Sequence, residues 1–179
     1  MGIEGTWVLD PVFLLSVREW KEIMVPVKTS TEPYLLIYDF EGNNELRDFA
    51  VRYAKEQNLK IYSISDRAYQ TRYADKHFTK TGPCEFISLI YHCSAFVSNS
   101  FHGTAFSIMF HKPVFVFGRN RHKVNSRMES LLSMFELSDR YIRTDKENSS
   151  PAEIDWNKIE SIKDRFLNIS ESFIRKVLD

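Results

Sequence analysis

Apolar residues in this chain fall into short continuous runs separated by stretches with helical spacing. Tyr34-Leu35-Leu36-Ile37-Tyr38-Asp39 is the first strong run. Its lack of alternation suits a strand covered on both faces. Gly42-Asn43-Asn44 reads as a turn, after which Leu46, Phe49, Ala50, Tyr53 and Ala54 recur at helical intervals. Lys60-Ile61-Tyr62-Ser63-Ile64 is the next strand, so residues 34–64 read as a β-α-β unit with a right-handed crossover. A second unit spans Ser94 to Gly118. Ala95-Phe96-Val97 is a strand, Ser98-Asn99-Ser100 a polar stop, and Ala105 to Phe110 a buried helix. Lys112-Pro113 ends that helix, and Val114-Phe115-Val116-Phe117 is a second buried strand.

Weaker signals fill the remainder. Ser16-Val17-Arg18-Glu19 is a capping box that opens a short helix over Val17 to Met24. Pro26 to Pro33 reads as a linker, and a short strand is expected near His77-Phe78. Pro83 suits a helix start, with Phe86, Leu89, Ile90 and Cys93 on one face. Met128, Leu131, Leu132 and Phe135 form another helical face, and Arg140 to Arg143 reads as an edge strand. A last helix from Asp155 aligns Trp156, Ile159, Ile162, Phe166, Ile169, Phe173 and Val177. Alternating strands and helices predict an α/β protein built on a parallel sheet.

Composition narrows the function classes. The 179 residues suit one domain, and 43% are hydrophobic, enough for a core. Fourteen phenylalanines predict a core packed with rings. With 24 Lys+Arg against 24 Asp+Glu the formal charge is zero, which argues against a general nucleic-acid or membrane-surface binder. Two cysteines, Cys84 and Cys93, indicate neither a disulfide framework nor a zinc cluster. There is no signal-peptide pattern and no run long enough for a transmembrane segment, so a cytoplasmic protein is expected. No G-x-G-x-x-G, G-K-[ST] or H-E-x-x-H occurs.

Candidate chemistry sits in the polar turn before the buried helix. Such a turn lies at the carboxyl end of a strand, where open α/β sheets bind ligands. It also lies at a helix N-terminus, which favours anions. Ser98, Asn99 and Ser100 fit a capping role on geometry alone. His102 does not, because Ser or Asn would cap better, whereas histidine can donate to an anion or move a proton near neutral pH. Gly103 would let a ligand approach the backbone. The run Arg119 to Arg127 follows the next strand and so falls on the same sheet edge. Arginine's fork suits carboxylate and phosphate. Together these predict a site for a small dianion. His77, His92, His111 and His122 are weaker candidates.

Several blocks resemble the polysaccharide pyruvyl transferases: Leu9-Asp10-Pro11-Val12-Phe13-Leu14-Leu15, Pro83 with Glu85-Phe86-Ile87, Val97 to Ile108, Lys112-Pro113, and Asn125-Ser126-Arg127 with Leu131-Leu132. Ser100-Phe101-His102-Gly103-Thr104-Ala105-Phe106-Ser107 is the most specific of them. The resemblance implies a Rossmann-like parallel sheet flanked by helices, like the C-terminal half of a GT-B fold. Residues 1–32 would be a segment packing on the domain, residues 33–179 the domain itself, and the N-terminal GT-B domain would lie outside this chain. It implies transfer of the pyruvyl group of phosphoenolpyruvate to a sugar or lipid-linked glycan, forming a pyruvate ketal in capsule or exopolysaccharide synthesis. No cofactor beyond that donor is implied, and work at the inner face of the membrane would fit.

On this reading His102 and Arg127 are the expected catalytic residues. Asn99, Ser100, Gly103, Thr104, Arg119 and Arg121 are expected to bind substrate. Two other readings stay open. A GT-B half binding a nucleotide sugar would use the same helix end and arginines, with Glu85 as a carboxylate for ribose. A non-catalytic fragment or subunit would need an N-terminal partner, or would self-associate through an exposed cleft face.

Overall fold

The computed structural model describes residues 5–29, 31–65, 71–119, 125–143 and 152–178. A 3-10 turn, Pro11–Leu14, and helix α1, Val17–Glu22, precede the sheet. The capping box that opens α1 is formed, with Ser16 and Glu19 bonding each other's backbone. The expected βαβ units follow as β1 (Tyr34–Tyr38), α2 (Asn44–Glu56) and β2 (Lys60–Ile64). Next come β3 (Lys76–Phe78) and α3 (Pro83–His92). The second unit is β4 (Ala95–Ser98), α4 (Phe101–Met109) and β5 (Val114–Phe117). The chain ends with α5 (Asn125–Met134), the edge strand β6 (Tyr141–Ile142) and α6 (Trp156–Leu178).

All strand pairs are parallel and the sheet order is β3-β2-β1-β4-β5-β6. This is the order of doubly wound, Rossmann-like folds, in which the direction of winding reverses between β1 and β4. The ends of β1 and β4 lie side by side there, with Tyr38 opposite Ser98.

Strand side chains alternate between two layers. Leu35, Ile37, Val97, Phe115 and Phe117 face α2, which buries Leu46, Ala50 and Ala54 against them. Tyr34, Leu36, Phe96, Val114 and Val116 face the layer built by α3, α4, α5 and α6. Helix α4 is buried from Gly103 through Met109, which explains its nearly unbroken apolar sequence.

The segment ahead of β1 belongs to the second layer. Leu9, Val12 and Phe13 join its core, and the Phe13 ring lies 5.2 Å from that of Phe135. Trp20 meets Phe106 edge-on at 4.9 Å. The Leu9 amide donates to Ser170 Oγ at 2.8 Å, tying this segment to α6.

The apolar face expected along the whole last helix divides in two. Ile159 and Ile162 are buried, but Ile169, Phe173 and Val177 are exposed. The described part of the domain covers α6 as far as buried Ser170, and the apolar stripe is exposed beyond it. No helix among the described residues is long and apolar enough to cross a membrane.

Candidate functional site

The turn from β4 into α4 is held by its own side chains. Asn99, 1% exposed, donates from Nδ2 to Asp39 Oδ1 at 2.8 Å and accepts from the Phe40 amide at 3.1 Å. Asp39 also accepts from the amides of Glu41 and Asn43. The hydroxyl of Ser98 reaches the Tyr38 carbonyl. This network stitches β1 to β4 where the sheet's winding reverses. Ser100 caps α4 by accepting from the Gly103 amide at 3.2 Å. Thr104 donates to the Ser100 carbonyl at 2.9 Å.

Gly103 has a packing reason for being glycine. A Cβ there would lie 2.7 and 2.8 Å from two ring carbons of Phe96, which is fully buried. Of the four turn residues expected at the substrate, Asn99, Ser100 and Thr104 are therefore engaged within the fold through their side chains, and Gly103 packs its backbone against Phe96. The turn still has backbone to offer, because helix geometry leaves the Phe101 and His102 amides without an intrahelical acceptor.

Beside this turn three charged or titratable side chains converge. His102 projects outward, 60% exposed, with Nε2 3.8 Å from Asp10 Oδ2. Arg127, 65% exposed, brings Nη2 to 4.0 Å from the same oxygen. The Arg127 guanidinium lies over the Phe101 ring at 4.2 Å, a cation–π contact that sets its position. Asp10 is only 12% exposed, and its Oδ1 accepts from the Val12 amide, which fixes the carboxylate at the head of the 3-10 turn. Both approaches to Oδ2 are too long for hydrogen bonds. An incoming anion can therefore take His102 and Arg127 without breaking a strong bond.

Each partner arrives from a different element. His102 stands in the first turn of α4. Arg127 stands in the first turn of α5, whose start is pinned because Asn125 bonds both the amide and the carbonyl of Arg119. Asp10 comes from the segment before β1. Residue type alone marks Asp10 as a cap, which it is. The available signal for more was its place in the Leu9-Asp10-Pro11 block.

The other expected residues separate from this trio. Arg119 pairs with Glu41 at 3.3 Å and lies over Phe40 at 4.9 Å, so it is engaged with the loop after β1. Glu85, half-buried in the first turn of α3, folds its carboxylate back over Gly82. Arg121 and His122 lie outside the described residues. Of the weaker histidines, His92 Nδ1 meets the Ser88 carbonyl, and His111 pairs with Glu160 at 2.8 Å against the Trp156 ring.

Two hollows open on the same edge of the sheet. One of about 330 Å³ lies beyond β1, β2 and β3, between Asp39, Ser65 and Thr79. The larger, about 440 Å³, is bounded by Trp7, Asp10, Phe101, Arg127, Ser130 and Met134. It shares Asp10, Phe101 and Arg127 with the trio.

The family model for polysaccharide pyruvyl transferases matches residues 1–121 of the 179. The chain belongs to the polysaccharide pyruvyl transferase family. Neither the curated proteins nor the solved structures yielded a match. The family match takes in Asp10 and His102 but ends before Arg127, so α5 and its arginine come to the site from beyond the matched region.

Proposed function

We propose that this domain transfers the pyruvyl group of phosphoenolpyruvate to two hydroxyls of a sugar, forming a pyruvate ketal and releasing phosphate. The observation that carries this reading is the convergence of His102 and Arg127 at the N-terminal end of α4, in a chain of this family. The donor is small and carries a phosphate and a carboxylate. A guanidinium, an imidazole and first-turn amides suit those groups.

The chemistry follows from the donor. Protonation of its methylene carbon by His102 leaves an oxocarbenium-like centre at the neighbouring carbon. One sugar hydroxyl adds there, the bond to phosphate breaks, and the second hydroxyl closes the ketal. Of the two hydroxyl protons released, one restores the proton given to the methyl group and the other leaves with phosphate. Arg127 offsets the charge that builds on phosphate as its bond breaks.

The experiment is a transfer assay on the His102→Gln variant. Loss of a general acid lowers the rate by about 10²-fold or more. A rate near that of the unaltered protein removes His102 from the chemistry.

A further inference from the structure

We propose that the hollow between Trp7 and α5 is the subsite for the saccharide acceptor, with Asp10 as the carboxylate that receives its reacting hydroxyl. This inference rests on the pyruvyl-transfer reading for the identity of the two substrates. Three observations lead to it.

The first is charge. Asp10 lines the hollow, and its Oδ2 makes no hydrogen bond to His102 or Arg127, at 3.8 and 4.0 Å. A fixed carboxylate repels an anionic donor, so the donor belongs on the far side of His102 and Arg127, against the first turn of α4. A polyhydroxylated ligand meets no such penalty and supplies the O–H donor that Oδ2 lacks.

The second is the character of the walls. Trp7 presents an indole that is 62% exposed, and Phe101 and Met134 continue the apolar side. Ser126, Ser130 and Asp10 line the polar side. A pyranose has the same division, with C–H faces that stack on aromatic rings and hydroxyls at its edge. The volume of about 440 Å³ lies within the range of small-ligand sites.

The third is place. The hollow takes in Arg127, one of the two anion-binding side chains, and Asp10 beside it, so a hydroxyl held by Asp10 stands next to the donor's reacting carbon. Asp10 then takes the proton of that hydroxyl as its oxygen bonds the carbon and passes it to His102, which restores the proton His102 gave to the methylene carbon. The acid and the base are thus separate groups on one edge of the cleft.

The test uses the full chain and saturation-transfer NMR with methyl glycosides of the common hexoses and N-acetylhexosamines. Calorimetry with phosphoenolpyruvate runs in parallel. The unaltered protein is expected to saturate the ring protons of at least one glycoside. Trp7→Ala should cut that signal at least five-fold while leaving the phosphoenolpyruvate Kd within two-fold. Asp10→Asn keeps a capping oxygen for Val12 but removes the charge. It should weaken the glycoside and leave the donor's Kd unchanged or tighter.

No glycoside binding to the unaltered protein, a full signal in Trp7→Ala, or displacement of the glycoside by phosphoenolpyruvate would each overturn the subsite. Glycoside binding that depends on Trp7 without any donor binding would support the subsite and refute the transfer reading.

Discussion

Two groups of polar residues lie within one helical turn of each other at the end of β4, and they serve different ends. Asn99, Ser100 and Thr104 are buried and hydrogen-bonded within the fold. His102, in the same turn of α4, is exposed and joins Asp10 and Arg127 through long, weak approaches. Burying a polar group without a partner is costly, so buried ones are bonded, and such bonds fix a backbone. An exposed pair at about 4 Å contributes little stability and is free to regroup around a ligand. The buried set holds the turn at the end of β4, and the exposed set is available for chemistry.

Substitutions can break that division. Asn99→Ala carries the largest expected cost. It removes a bond to the Asp39 carboxylate and leaves the Phe40 amide without its acceptor, for a loss of about 3 kcal/mol in urea unfolding. A loss under about 1 kcal/mol would mean that this network does not hold the turn. Gly103→Ala should cost about 1–3 kcal/mol, because its new methyl meets the immobile Phe96 ring. An unchanged unfolding midpoint would argue instead that Gly103 is there for a ligand.

The contrast between buried and exposed groups extends to titration. Burial pushes the Cys93 thiol up to about 12, and Tyr73, also raised mainly by burial, to about 12. Both groups are protonated in the folded state when their unfolded counterparts ionise, near pH 8.5 and 10. Their contribution is therefore fully present below those values and declines as pH rises toward 12. Urea midpoints should fall over that window. Half-buried Cys84 should react with iodoacetamide at pH 8 well before buried Cys93 does. Equal labelling of the two would contradict the placement of Cys93.

Much of the fold could be read from the chain because its signals are local. Continuous apolar runs marked β1, β4 and β5, and the capping box marked α1. The strand order could not be read in this way, since parallel pairing depends on contacts distant in sequence. The extent of burial on α6 was also hidden. Its apolar spacing continues through Val177, but a spacing says which residues share a face and not what covers it.

At the candidate site, His102 was conspicuous because capping did not account for it. Arg127 followed from the topology, since β4 and β5 are neighbours. Asp10 was not picked out, because an Asp before Pro has an ordinary explanation and its approach to His102 and Arg127 appears only when α4 and α5 close around it. Arg119 lies on the same sheet edge but pairs with Glu41 instead of joining the trio, a contact that residue type and topology did not show.

On the proposed function, exposed His102 and Arg127, with the first-turn amides of α4, hold the dianion, and the buried side chains of the turn do not. Calorimetric titration with phosphoenolpyruvate, comparing the unaltered chain with the double variant His102→Gln, Arg127→Ala, tests it most directly. Binding to the unaltered chain is expected, with a loss of at least about 100-fold in the variant, since each of the two groups removed is a charge-assisted donor worth about 1.5–3 kcal/mol. The unfolding midpoint should barely move, because both side chains are largely exposed. A double variant that binds phosphoenolpyruvate as tightly as the unaltered chain would contradict the account.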